Sequence, residues 1–110
     1  MALGQSVNIS SQNYPGFYGD NLACHWQFSN SDDTGFSITI HDILLSPGGD
    51  YLYIGHGENT IIHQAQWVLP DGTTFVVDDS RVWFTFITSK AIRQRGFLVE
   101  VKAVSVNGEY

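Results

Sequence analysis

Cysteine is nearly missing from this chain: Cys24 is the single thiol among 110 residues. One thiol builds neither an internal disulfide framework nor a thiolate zinc site, so within these residues stability has to come from packing. Basic side chains are scarce too. Five Lys and Arg stand against eleven Asp and Glu, a formal net charge of -6, and a polyanionic partner is repelled on average, which argues against nucleic acid. No apolar run approaches the roughly 20 residues that cross a bilayer. The opening Met1-Ala2-Leu3-Gly4 lacks the basic and apolar regions of a signal peptide. No membrane insertion of this stretch is expected, and residues 1–4 read as a linker or expression remnant.

Catalytic signatures are also absent. The chain shows no nucleophile elbow, P-loop or Cys-His pattern, and His25, His41, His56 and His63 lack the spacing of a metal site. The expectation is a domain that is not an enzyme and needs no cofactor. A long helical period, an internal repeat and low-complexity sequence are likewise missing.

What is present is globular: 43% hydrophobic and 14% aromatic residues in a length suited to one two-layer domain. Residues 11–26 (SQNYPGFYGDNLACHW) are too rich in Pro, Gly and Asn for a helix or a plain strand and read as a structured loop. Tyr14, Phe17 and Tyr18 would be costly to leave wet, so that loop is expected to pack onto a sheet. Around it lie short alternating runs. Residues 5–10 read as an edge strand, and 24–28 and 36–40 as a hairpin-like succession across a polar turn. Residues 42–45 are a brief strand, and 50–54 a longer one with Tyr51 and Tyr53 on one face, Leu52 and Ile54 on the other. Residues 60–66 fit either a strand or one helical turn. Residues 67–69 and 73–77 flank Pro70-Asp71-Gly72 as a hairpin candidate. Residues 81–88 place Val82, Phe84 and Phe86 against Trp83 and Ile87, and 96–104 turn Phe97, Val99 and Val101 inward. Many short strands at close spacing predict an all-β, jelly-roll-like β-sandwich of two antiparallel sheets spanning 5–104, with 105–110 a linker remnant.

The order Asn13-Tyr14-Pro15-x-x-Tyr18, Asn21, Cys24-x-Trp26 resembles the opening of the CUB domain, a β-sandwich module of extracellular proteins. Asp42 to Ser46, then Asp50-Tyr51-Leu52-Tyr53-Ile54 and Gly57, are similar to that family's central strands. Phe86, Thr88, Ser89 and Gly96-Phe97 resemble its closing pattern. The resemblance implies a non-catalytic extracellular protein-recognition module within a larger secreted or membrane-anchored protein, whose enzymatic part, for instance a protease, would lie elsewhere. It also implies a disulfide from Cys24 to a cysteine just before residue 1. The residue type alone equally allows a buried thiol, which it favours, or a bridge to another chain.

Many CUB domains hold Ca²⁺ through a Glu, two Asp and a Ser, supported by a Tyr. Carried over by position, Tyr18 and Asp50 match, whereas Leu44, Ser89 and Ala91 replace the Glu, the second Asp and the Ser. One carboxylate and a phenol do not replace a Ca²⁺ hydration shell, so the site reads as vestigial. The remaining binding candidates are the aromatic residues Trp67, Trp83, Tyr51 and Tyr53, which serve protein hot spots and glycan stacking alike, and the basic loop Lys90, Arg93 and Arg95. An extracellular protein is the expected partner, with a glycan bound in lectin fashion as the alternative. Asn8-Ile9-Ser10 fits an N-glycosylation acceptor.

Overall fold

The computed structural model describes residues 3–16, 18, 19, 21–30, 34–45, 50–57, 60–65, 73–89 and 94–105. Eight strands run in order: β1 (Ser6–Ser10), β2 (Ala23–Ser29), β3 (Thr34–Leu44), β4 (Tyr51–His56), β5 (Thr60–Ala65), β6 (Thr73–Val77), β7 (Arg81–Ile87) and β8 (Gly96–Ser105). They form two four-stranded antiparallel sheets, ordered β1-β8-β3-β6 and β2-β7-β4-β5. The predicted sandwich is therefore the fold.

Alternation explains the core. Phe36, Ile38 and Ile40 from β3, Leu52 and Ile54 from β4, Val82, Phe84 and Phe86 from β7, and Phe97, Val99 and Val101 from β8 are all fully buried. Phe86 meets Phe97 edge to face across the sheets at 5.0 Å, and Trp26, half-buried on β2, meets Phe97 at 5.7 Å. Each such buried side chain contributes about 2 kcal/mol through area removed from water. Cys24 is a free thiol packed beside Trp26 and Phe28 against this core.

Two local expectations are corrected. Residues 36–40 and 42–45 do not form separate strands, because β3 runs unbroken through a bulge between Ile40 and Asp42. The extra residue shifts the inward set from Ile40 to Ile43, so the alternation breaks in the sequence although the strand does not. Residues 24–28 and 36–40 are not hairpin neighbours, since β2 and β3 lie in opposite sheets. Strand β6 adds to β3 in the first sheet, and the run 67–69 expected to pair with it lies, with its turn 70–72, outside the described residues. Of consecutive strands only β4 and β5 pair with each other. The alternative left open for 60–66 resolves to a strand.

Candidate functional site

Two regions gather the candidate residues. At one end of the sandwich, residues 11–16, 18 and 19 fold back over the start of β8. Ser11 N donates to Phe97 O at 3.1 Å, Phe97 N donates to Ser11 Oγ at 3.1 Å, and Ser11 Oγ donates to Arg95 O at 3.2 Å. Tyr18 N donates to Gln94 O at 3.2 Å. Thr88 closes the other side, its Oγ1 donating to Gly19 O at 3.0 Å and accepting from Leu22 N at 2.8 Å. The loop is thereby a fixed part of the fold rather than a mobile connection, since its buried polar groups find partners in it.

Tyr18 and Asp50 meet beneath this loop, each with 1% of its surface exposed. The Tyr18 hydroxyl donates to Asp50 Oδ2 at 2.5 Å, and Ser89 donates to Asp50 Oδ1 from its N at 2.8 Å and its Oγ at 3.2 Å. Tyr18 stands edge-on to Phe86 with ring centroids 5.2 Å apart. Both carboxylate oxygens are thus engaged by protein donors. Ser89, at the position of the family's second aspartate, is a donor to Asp50, and Leu44, at the glutamate position, offers a calcium ion no oxygen from its side chain. The residues present do not fit Ca²⁺. The expected result in thermal unfolding is one midpoint in excess chelator and in millimolar Ca²⁺, because a ligand without a native site gives no linkage; a clear rise with Ca²⁺ would reverse the conclusion.

Next to this cluster, Arg95 holds Asp42 with two hydrogen bonds, Nε to Oδ2 at 2.6 Å and Nη2 to Oδ1 at 2.7 Å, and the Tyr14 hydroxyl donates to Oδ2 at 2.6 Å. The docking role anticipated for Arg95 therefore competes with an internal one: its guanidinium ties β8 to the bulge of β3, while 41% of its side chain is exposed. Lys90 and Arg93 lie outside the described residues. The Arg95 hydrogen bonds hold the Asp42 carboxyl below the ordinary carboxylate range, Tyr14 adds to this, and partial burial opposes it. A depressed folded value stabilises above the unfolded value of about 4, and the gain is lost as pH falls through the folded one. Arg95→Gln is expected to lower stability by about 1 kcal/mol at neutral pH, a figure reduced for solvent screening. In urea titrations at several pH values that difference should shrink below about pH 4. A pH-independent difference would show that the charge pair contributes nothing.

The second region is the outer face of the β2-β7-β4-β5 sheet. Tyr51 and Tyr53 stack on each other with centroids 5.7 Å apart, and Trp83 stacks on His25 at 6.2 Å. The register sets Tyr51 beside Ile87, Tyr53 beside Thr85, and Trp83 beside Gly55. Ile87 is 40% exposed, and the rings are half-exposed. Trp83 Nε1 is covered and has no hydrogen-bond partner among the described residues. Three of the four aromatic candidates thus share one face; Trp67 lies outside the described residues.

Sequence reasoning missed the Asp42–Arg95 pair and two histidine–carboxylate contacts, His41 to Glu100 and His56 to Asp79, both at 2.9 Å. The partners in each lie on different elements, with no local spacing to announce them. Asn8, the glycosylation candidate, is exposed on β1.

The family model for the CUB domain matches residues 2–100. Among solved structures, the chain is similar to the CUB1-EGF-CUB2 domain of human MASP-1/3, at 18% identity and a TM-score of 0.84 over 93% of this chain and 42% of that one. It is similar to the full extracellular region of zebrafish Gpr126/Adgrg6, at 19% identity and a TM-score of 0.81 over 92% of this chain and 14% of that one. It is also similar to the MASP-1 CUB2 domain bound to Ca²⁺, at 17% identity and a TM-score of 0.73 over 91% of this chain and 95% of that one. The chain thus spans less than half the length of the first two. No curated protein sequence matches it. CUB domains are non-catalytic modules that generally mediate protein interaction in extracellular proteins. With the sandwich, the loop signature and the family match over nearly its whole length, this chain belongs to the CUB domain family.

Proposed function

We propose that this CUB domain is a metal-independent recognition module of a larger secreted or membrane-anchored protein, docking a partner protein on the outer face of its β2-β7-β4-β5 sheet. The observation that carries this reading is the grouping of Tyr51, Tyr53, Trp83 and Ile87 on that face, half-exposed and outside the core. Rigid aromatic rings lose little side-chain entropy on binding and are the usual anchors of protein interfaces. Trp83 adds to the case. Packing of the core does not call for an indole on an outer face. The similar chains of MASP-1/3 and Gpr126/Adgrg6 are longer than a single CUB domain, which supports a multidomain parent. A glycan on exposed Asn8 of β1 would project from the opposite sheet and leave the aromatic face open.

The test is a screen of the domain and its Tyr51→Ala/Tyr53→Ala variant against an array of extracellular proteins. A protein ligand whose binding survives enzymatic deglycosylation and weakens at least tenfold in the variant is expected, as for hot-spot aromatics. Binding abolished by deglycosylation would replace protein recognition with a lectin activity. Binding untouched in the variant would move the site off this face.

A further inference from the structure

We propose that two copies of this domain associate edge to edge through β2, joining their second sheets into one eight-stranded antiparallel sheet. Among the described residues, β2 has a strand neighbour on one side only, β7. The bonds flanking that ladder show which backbone groups it uses. Thr88 N donates to Leu22 O at 3.0 Å and Asn30 N donates to Ser80 O at 2.7 Å. Hydrogen-bonded pairs alternate along an antiparallel ladder, so Cys24, Trp26 and Phe28 exchange their bonds with β7. The N–H and C=O groups of Ala23, His25 and Gln27 therefore point away from the sheet, toward the open edge.

Open edges are ordinarily blunted by charge, proline or glycine. The strand Ala-Cys-His-Trp-Gln-Phe-Ser carries none of these, although eleven acidic residues stand elsewhere in a chain of net charge -6. Its inward side chains are unfinished too: Leu22, Cys24, Trp26 and Phe28 pack against the core and remain only partly buried. A suitable partner must bring an outward ladder of the same parity and an uncharged apolar row.

β2 is that strand for itself. Placing a two-fold axis through His25 pairs His25 with the His25 of a second copy, and Ala23 with its Gln27, so that every outward group named above gains a partner. The same register sets Leu22 against the second copy's Phe28 and Cys24 against its Trp26, covering the whole half-buried row. Isologous pairing of this kind closes at two copies. It would also place two aromatic faces on one continuous sheet, making the recognition surface bivalent.

Sedimentation velocity over a concentration series tests the proposal, with Gln27→Pro as the variant. Proline there removes a donor that faces the edge and leaves the bonds to β7 in place, a position that edge strands tolerate. The expected result is a concentration-dependent monomer–dimer equilibrium, at least tenfold weaker in Gln27→Pro and unchanged by reductant. The amides of Ala23, His25 and Gln27 in the unaltered domain should gain hydrogen-exchange protection as the dimer forms, which needs no variant. A monomer at every concentration, a dimer dissolved by reductant, or a dimer in which those three amides stay unprotected would each overturn the proposal.

Discussion

Gly96→Ala is expected to destabilise the domain by about 2 to 5 kcal/mol, enough to leave much of it unfolded, through two separable costs. The first is conformational. Gly96 sits at φ 88°, in the left-handed region where a Cβ is disfavoured by about 1 to 2 kcal/mol. The second is steric: a Cβ there would lie 1.8 Å from Ser11 Oγ and 2.5 Å from Ser11 Cβ, and Tyr18 closes the remaining side at 3.3 Å. Ser11 cannot retreat cheaply, since its Oγ accepts from Phe97 N and donates to Arg95 O. Overpacking of this kind costs about 1 to 3 kcal/mol. Urea unfolding measures the sum, and the Ser11→Gly/Gly96→Ala double variant separates the parts by relieving the clash while retaining the unfavourable φ. A single variant as stable as the unaltered domain would show that the loop is not seated on β8 as described.

The second large effect belongs to Asp50→Ala, expected to cost about 3 to 5 kcal/mol because one buried carboxylate accepts from Tyr18 and twice from Ser89. These bonds join three separate parts of the chain: Tyr18 of the loop, the residue before β4 and the segment after β7. Truncation removes all of them at once, beneath a fully covered aromatic ring. Asp50→Asn keeps the shape and one acceptor oxygen and should lose roughly half as much. Denaturant midpoints of the two variants are the measurement. Equal, small losses would mean that packing of Tyr18 against Phe86, not the carboxylate, seats the loop.

Much of this was legible in the residues. Alternation in 36–40, 50–54, 81–88 and 96–104 placed Phe36, Ile54, Phe84 and Val99 in the core, and a two-layer sandwich follows because every strand has one apolar face to cover. The turn-rich signature that opens at Ser11 marked the packed loop. Which strands neighbour one another was not legible. An apolar face reads the same whether its strand turns back in a hairpin or crosses to the other sheet, so β2–β3 and β5–β6 were decided by how two faces close over one core. Long-range polar partners were equally hidden: Asp42 finds Arg95, and His56 finds Asp79, only because the topology sets β3 beside β8 and β4 beside β7. The sequence by itself determined the fold class and the inward residues, both of which rest on local period and residue chemistry. Only the tertiary structure decided that Trp83, Tyr51 and Tyr53 share an outer face and that β2 has one strand neighbour among the described residues, since both depend on which strands lie adjacent and which face remains after the core is filled.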